Sequence, residues 1–428
     1  MKYLYIRDLF LRAKNNKMLV NGSLFSLFSF IEKGIGFVLL IILAKFIMPS
    51  EYGMLSIFNT IVTFIGLFIC LSTDGYLSIS YFRCSENEFR KDVGAVFVVM
   101  TFMITIFALI ICLFGGGISS KLEIPVYFLW IAVLISVLSC IFNIHQNMYI
   151  IKEKVVKYGV FSTMFALLNL ALSLALVIGI GHNWIGRVEA QLIALTLLGG
   201  VSLLLLIRDK CMFFHNLRDS IKNILLYGIP MIPHLATVWI KQGLDQFIIK
   251  DTHTIYDVGI FSFALNLTGV IVMLGVAFNS TNSVALFKIL SDKSIFDKRN
   301  VLEKKTKQMV LLYLGASAVI VVAMHLLIIL FMPKYIESIP YFYMLSIYGL
   351  LQCFYLLYCN YFFYYKKTKN LMYITFSTSI AHLCLSLLFT RYSLYNTALI
   401  YIFSQLCIVA SVYYYGKQLI VKNVELNG

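Results

Sequence analysis

The chain has 428 residues, of which 60% are hydrophobic and 13% are charged. A soluble protein of this length needs a mixed charged surface, so the composition excludes soluble domains and leaves length for about a dozen membrane helices of about 20 residues. The formal charge of +15 would fit a nucleic-acid-binding protein, but the positions of the basic residues exclude that function, as the loops show.

The first 17 residues alternate large apolar side chains with arginine and lysine. This pattern predicts a short amphipathic helix on the anionic inner leaflet of a membrane. The apolar segment that follows is long and lacks a small-residue cleavage signature, so we expect no cleavable signal peptide.

The hydropathy pattern predicts an all-α polytopic membrane protein with about twelve transmembrane helices. The predicted spans cover residues 18–46, 53–81, 93–117, 125–151, 158–181, 187–207, 223–249, 256–287, 308–332, 339–365, 371–390 and 394–416. Of the 35 lysines and arginines, 27 fall in the termini and one set of alternate loops, and six fall in the other set. Positive loops stay in the cytoplasm, so both termini are predicted to be cytoplasmic, in a bacterial inner membrane. None of the nine cysteines falls in a predicted outer loop, so we expect no disulfide and no metal site.

The two halves of the sequence resemble each other. Gly22 and Gly228 are 206 residues apart, as are Gly53 and Gly259, and a lysine lies within the first and the seventh span. This regularity predicts duplication of a six-helix unit. The expected domains are an amphipathic N-terminus (1–17), one lobe (18–207), a linker (208–222), a second lobe (223–416) and a cytoplasmic tail (417–428). Two parallel six-helix repeats around a central cavity are typical of alternating-access transporters.

The seventh span carries Pro230 and Pro233, and the first span carries instead a pair of glycines, Gly34 and Gly36, beside its lysine. Proline removes a backbone donor and kinks a helix. These residues are either structural kinks or hinges for gating.

Two lysines near mid-depth, Lys33 and Lys241, are the main candidates for substrate binding. A cation at the centre of a bilayer costs about 2.5–3.5 kcal/mol on insertion scales, and lysine binds phosphate as a point charge. For Lys241 the alternative is a packing ion pair with Asp245, four residues along the helix.

Three carboxylates and one histidine complete the candidate set. Glu32, Asp74 and Asp245 are candidates for charge balance or for binding a coupling H⁺ or Na⁺. Asp245 is also a candidate substrate contact, as is His325 near the middle of the ninth span. No P-loop is present and no cofactor is expected, so the membrane potential is the expected driving force.

Several motifs resemble those of a known family. They are Met48-Pro-Ser-Glu-Tyr-Gly-Met-Leu-Ser, Gly228-Ile-Pro-Met-Ile-Pro-His, Leu244-Asp-Gln-Phe-Ile-Ile, Tyr256-Asp-Val-Gly-Ile-Phe-Ser-Phe and Met332-Pro-Lys-Tyr-Ile-Glu-Ser. Together they resemble the polysaccharide-unit (O-antigen, Wzx-type) flippases of the multidrug/oligosaccharidyl-lipid/polysaccharide (MOP) exporter superfamily. The resemblance implies a MATE-like fold and a flippase for an undecaprenyl-diphosphate-linked oligosaccharide. The chain departs from the family at Gln246, where an arginine often follows the aspartate.

Two other functions remain open at this point. A drug/cation antiporter of the same fold would favour acidic cavities, whereas each half of this chain places a lysine in the membrane. A membrane polysaccharide polymerase is expected to carry catalytic side chains on a longer outer loop than any found here. Membrane lipids and other polysaccharide assembly proteins are the remaining expected partners; no nucleic acid is expected.

Overall fold

The computed structural model describes residues 17–292 and 298–420, and nearly all of them are helical. The helices are α1 (Lys17–Phe46), α2 (Pro49–Cys70), α3 (Thr73–Arg83), α4 (Glu86–Leu122), α5 (Val126–Ile151), α6 (Val155–Leu174), α7 (Asn183–Arg208), α8 (Arg218–Gln242), α9 (Leu244–Thr252), α10 (Ile255–Ser291), α11 (Lys298–Phe331), α12 (Ile339–Tyr364), α13 (Thr368–Phe389) and α14 (Leu394–Ile420). A π-helical turn, Ala175–Gly179, continues α6, and short 3₁₀ turns precede α12 and follow α13.

Twelve helical segments of the described chain are long and apolar enough to cross a membrane. This confirms the predicted number and order of spans. Several helices extend beyond the predicted limits; Lys298–Phe331, for example, replaces 308–332. A helix continues past its apolar stretch because its backbone hydrogen bonds form within the helix itself and do not require apolar side chains. The predicted amphipathic N-terminus lies outside the described residues except for its last residue, and so does the end of the tail.

The chain forms two compact units, which we call the first and the second unit. The first unit comprises Met1–Ile47 and Phe58–Ile232, and the second comprises Met48–Ile57 and Pro233–Gly428. This grouping follows spatial contacts and not the internal repeat. The lobe and linker boundaries inferred from the repeat therefore stay predictions.

Within the first unit, the second span is interrupted between α2 and α3. Leu71 and Ser72 have φ angles of 43° and 53°, a left-handed conformation that is unfavourable for residues with a Cβ. Gly228 packs directly against this break, because a Cβ added there would lie 2.6 Å from the carbonyl oxygen of Leu71. Glycine at position 228 is therefore required by close backbone packing.

The seventh span is interrupted at Gly243, between α8 and α9, and not at its prolines. Helix α8 runs through both Pro230 and Pro233, and α1 likewise runs through Gly34 and Gly36. The boundary between the two compact units falls at Ile232/Pro233. A hinge role for these prolines and glycines stays a prediction.

Within the second unit, the starts of α2 and α10 are built alike. The Met48 amide donates to the Glu51 carboxylate at 2.9 Å, and the Thr254 amide donates to the Asp257 carboxylate at 3.1 Å. Each acidic residue thus satisfies a backbone donor that the first helical turn leaves unpaired. Glu51 and Asp257, which each lie two residues before the matched glycines Gly53 and Gly259, therefore have the same capping role.

Helices α10 and α12 pack closely through small residues further along. A Cβ on Gly349 would lie 2.8 Å from the Thr268 methyl group, and Gly275 faces the Cys353 thiol. The buried Tyr313 hydroxyl donates to the Gly275 carbonyl at 3.3 Å. Close helix packing of this kind is typical of membrane proteins, and it supports the polar cavity that lies among α8, α10, α12 and α14.

Candidate functional site: two polar cavities

Lys241 lies in the last turn of α8 and is 5% exposed. Its side chain lines a cavity of about 510 Å³ inside the second unit. The other lining residues are Leu235, Thr237, Val238, Gln242, Leu265, Thr268, Gly269, Val272, Tyr348, Gln352, Tyr355, Thr375, Gln405 and Ile408. Among the residues that the structure describes, none forms a hydrogen bond or a direct ion pair with the Lys241 ammonium, and the Asp245 carboxylate attracts it only from a greater distance. We call this space the basic cavity.

Asp245 does not pair with Lys241. It is 1% exposed, and its two carboxylate oxygens bind residues of α13: one lies 2.9 Å from His382 Nε2 and the other accepts a 2.6 Å bond from Ser386 Oγ. The interruption at Gly243 separates the two residues into different helices. The packing ion pair between Lys241 and Asp245, which four-residue spacing allowed, is therefore not formed.

The histidine that holds Asp245 is itself fixed by α14. His382 is fully buried; its Nδ1 lies 3.0 Å from Ser404 Oγ, and its ring meets the Tyr401 ring edge-on at 5.0 Å. The Tyr401 hydroxyl donates to the Lys241 backbone carbonyl at 2.6 Å. The network therefore anchors the backbone from which the Lys241 side chain extends.

His382 was not among the site residues predicted from the sequence. A signal was present, because polar residues recur along one face of α13 and of the turn that follows it. They are Thr375, Ser379, His382, Ser386 and Thr390. Such a stripe at helical spacing indicates a face that binds polar groups within the membrane.

A second unpaired donor lies beside Lys241. Gln405 lines the basic cavity and is 2% exposed, and its Nε2 has no hydrogen-bond partner. Burying such a donor costs free energy that a bound acceptor recovers. Lys241 and Gln405 both supply donors, so the basic cavity is suited to a ligand rich in oxygen acceptors, and above all to an anion.

The first unit holds a cavity of opposite character, of about 360 Å³, which we call the acidic cavity. Two predicted site residues, Glu32 and Asp74, line it. The remaining lining residues are Cys70, Thr73, Cys140, Phe142, Asn143, Ile144, Gln146, Asn147, Ile150 and Tyr158. The structure thus brings together two carboxylates that lie 42 positions apart in the sequence.

The other predicted site residues lie elsewhere. Lys33 is exposed on α1 and lines neither cavity, although its neighbour Glu32 does. His325 is half-buried on α11, where its Nδ1 lies 2.8 Å from the Tyr343 hydroxyl and the two rings stack. It also lies outside both cavities. The two lysines at matching repeat positions therefore differ sharply in environment.

The fold matches transporters of known structure. An inward-facing multidrug resistance MATE transporter of the MOP superfamily superposes with a TM-score of 0.69 at 13% identity, covering 90% of this chain and 95% of that one. The lipid II flippase MurJ, in an inward closed conformation, superposes with a TM-score of 0.72 at 15% identity, covering 94% and 91%. A MOP transporter from Pyrococcus furiosus, described as having a binding pocket of reverse polarity, gives 0.54 at 12% identity, covering 95% and 94%.

These likenesses show the fold: a polytopic helical membrane protein built like the MATE transporter and MurJ. At the level of sequence, residues 18–292 match the model of a family described as polysaccharide biosynthesis protein, and the chain belongs to that family. No curated protein matches it significantly in a sequence search. The structural neighbours described above are transporters and a flippase, and the family description names no enzymatic reaction, so the comparisons give no support to the membrane polymerase considered above.

Proposed function

We propose that this protein is a flippase that moves an undecaprenyl-diphosphate-linked oligosaccharide, of the O-antigen or a similar surface-polysaccharide type, from the inner to the outer leaflet of the bacterial cytoplasmic membrane by alternating access. The observation that supports this proposal is the buried Lys241 ammonium, which lines the basic cavity and forms no direct ion pair or hydrogen bond with any described residue. Family membership supports a role in polysaccharide assembly. Both termini lie in the cytoplasm under this proposal.

The chemistry of the basic cavity fits such a headgroup. A cation inside a membrane is costly unless it has a function or a partner, and an anionic headgroup would supply the missing partner of Lys241. The unpaired Gln405 amide and the nearby Tyr355 and Gln352 side chains suit sugar hydroxyl groups. A lipid-linked substrate needs such a polar surface only for its headgroup, since its tail stays in the bilayer.

No nucleotide is required for this movement. With the cytoplasm negative, each negative charge that leaves gains about 2.3 kcal/mol per 100 mV. The membrane potential therefore favours export of a diphosphate, and an inward flow of H⁺ or Na⁺ would add to this drive. We propose Asp245 as a charge-balancing group whose bonds to His382 and Ser386 stabilise the site.

A drug/cation antiporter is the competing function. Lipophilic cationic drugs would be repelled by Lys241, which is the buried charge of the basic cavity. The basic cavity therefore favours an anionic substrate.

The test measures transbilayer movement of a polyprenyl-diphosphate oligosaccharide in proteoliposomes. We expect Lys241→Met to lower the rate at least tenfold and Lys241→Arg to retain part of it, because arginine keeps the charge. Lys45→Met, at an exposed position near the end of α1, serves as the matched control and should match wild type. Export of a cationic dye by wild type, without movement of any lipid-linked oligosaccharide, would overturn the proposal in favour of an antiporter.

A further inference from the structure

The acidic cavity of the first unit is assembled at the break in the second span. The break, at residues 71–72, has Cys70 on one side and Asp74 on the other, and both side chains line the cavity. The Asn147 amide donates to the Asp74 backbone carbonyl at 2.8 Å and so holds α3 against α5. With a volume of about 360 Å³, the cavity has the size of a pocket for a small molecule.

The cavity presents hydrogen-bond acceptors that lack donors. The carboxylates of Glu32 and Asp74 accept no hydrogen bond from any side chain that the structure describes. Gln146 is 7% exposed, and its Oε1 has no hydrogen-bond partner among the described residues. A buried acceptor without a donor costs free energy, which a ligand with hydroxyl donors would recover. These three groups come from α1, α3 and α5, so the cavity suits a ligand that offers several O–H donors.

One face of α5 supplies further polar groups. Asn143, Gln146 and Asn147 are three and four residues apart, which places them on one side of the helix. Asn143 is exposed, and its amide forms no hydrogen bond with any described residue. Phe142 and Tyr158 add aromatic rings to the lining. A sugar ring matches this lining, because its hydroxyls donate and accept hydrogen bonds at the edge while its C–H groups form an apolar face.

The charge of the lining decides which sugars fit. No lysine, arginine or histidine of the described chain lines the cavity; Lys33 follows Glu32 on α1 but is exposed and lies outside it. The other ionisable groups of the lining, two thiols and one phenol, are uncharged at neutral pH. A carboxylate on the sugar would therefore face Glu32 and Asp74 with no cation to offset their repulsion.

We propose that the acidic cavity is a specificity subsite, which binds one uncharged sugar ring through Glu32, Asp74 and Gln146 and rejects acidic sugars such as uronic acids. The two carboxylates and the amide oxygen accept hydrogen bonds from ring hydroxyls, and the Asn143 amide binds a further hydroxyl. Selection follows because the carboxylates that bind a neutral ring also repel a charged one. That the ring belongs to the transported glycan rests on the proposed function, whereas binding of a free sugar does not.

Binding of free sugars can be measured without transport. The probes are the methyl glycosides of glucose and galactose and those of glucuronic and galacturonic acid, which carry a carboxylate in place of the hydroxymethyl group. Saturation-transfer difference NMR on the purified full-length protein, in a detergent without a sugar headgroup, gives the affinities. We expect wild type to bind a neutral glycoside saturably and about tenfold more tightly than either acidic glycoside, since like charges exclude the acidic forms.

The variants separate hydrogen bonding from charge. Gln146→Leu removes the buried acceptor and should weaken binding of the neutral glycoside about fivefold. Asn143→Ala should also weaken it, and its exposed, unpaired side chain leaves folding unaffected. The double variant Glu32→Gln/Asp74→Asn keeps polar groups but removes the repulsion, so it should bind neutral and acidic glycosides within about threefold of each other. Glu86→Gln, which loses only a surface ion pair, is the control and should match wild type.

The proposal is overturned if wild type binds no neutral glycoside, if it binds neutral and acidic forms equally, or if the cavity variants match Glu86→Gln. Its failure is distinct from that of the proposed function. Charge-selective sugar binding without movement of any lipid-linked oligosaccharide would refute the flippase and leave the subsite in place. Movement of the lipid-linked substrate without such binding would refute the subsite alone.

Discussion

Gly53 and Gly259 contact each other backbone to backbone where α2 and α10 begin. A Cβ on Gly53 would lie 3.1 Å from the Gly259 nitrogen, and a Cβ on Gly259 would lie 3.0 Å from the Gly53 nitrogen. The contact is reciprocal, because the first Cβ would also meet the Ile255 carbonyl and the second the Pro49 carbonyl. Gly53 and Gly259 are 206 residues apart, and so are Pro49 and Ile255; this spacing is the period of the repeat. Such self-complementary contact is the signature of two-fold symmetry, here between two copies of one motif.

Alanine at either of these glycines should destabilise the protein strongly. The clashing atoms are backbone carbonyls, which cannot rotate away, so we expect Gly53→Ala and Gly259→Ala each to cost about 1–3 kcal/mol or more. Thermal unfolding in detergent, followed by size-exclusion chromatography, measures the effect.

Matched controls lie on the same two helices. A Cβ on Gly66 in α2 or on Gly269 in α10 would meet nothing within 4 Å. Gly66→Ala and Gly269→Ala should therefore leave the unfolding temperature within a few degrees of wild type. Equal losses in all four variants would show that the contact has no special role.

Removing His382 should be more harmful than removing His325. His382→Ala removes one of the hydrogen-bond partners of the buried Asp245 carboxylate, and leaving a buried acceptor unsatisfied costs about 1–3 kcal/mol, and more when the group is charged. His325→Ala removes one bond to Tyr343, a residue that is itself exposed, and should cost about 1 kcal/mol. Expression level and unfolding temperature would distinguish the two, and a His382→Ala protein as stable as His325→Ala would contradict the network described here.

A substitution at Gln405 tests whether this residue contacts the substrate or only contributes to packing. Its Nε2 has no partner among the described residues, so replacing the amide by an apolar group of similar size removes a buried unpaired donor. Gln405→Leu should therefore keep or slightly raise the unfolding temperature while lowering the flipping rate. A loss of stability together with unchanged flipping would assign Gln405 to packing alone.

Two cysteines test the predicted orientation and the local environment of the loops. Cys84 is exposed between α3 and α4. Cys211 lies between α7 and α8, where burial raises the pKa of its thiol. A raised pKa lowers the thiolate fraction at neutral pH, so in single-cysteine variants Cys211 should react with a maleimide more slowly than Cys84 at pH 7 and gain speed as the pH rises. A membrane-impermeant reagent should reach both in inside-out vesicles and neither in spheroplasts.

The fold could be predicted from the sequence, but the candidate site could be predicted only in part. The number and order of spans followed from hydropathy, because a membrane admits few alternatives to helices of this length. The two lysines at matching repeat positions were assigned equal roles, yet Lys33 is exposed and Lys241 is buried. Hydropathy indicates how deep a residue lies along a membrane span. It does not indicate whether a neighbouring helix buries the side chain of that residue.

The partners of Asp245 were missed for a related reason. Its nearest sequence candidate was Lys241, whereas its bonds reach residues 137 and 141 positions away. The interruption at Gly243 was also missed, since prolines gave the stronger signal for a break. In a helix, Pro230 and Pro233 can be accommodated by small local adjustments of the backbone. The helix breaks instead at Gly243, between Lys241, which lines the basic cavity, and Asp245, which binds residues of α13.

The unpaired ammonium of Lys241 has a consequence for the resting protein. Because the bonds of Asp245 are directed to α13, water must hydrate the lysine whenever no anionic headgroup is present. An empty basic cavity should therefore resist drying, and full closure around it should be costly until a negatively charged guest enters. Under the proposed function, substrate binding would displace the water around Lys241 and so favour closure of the basic cavity. The substrate-free protein would keep a hydrated cavity, and only the substrate-bound protein would close.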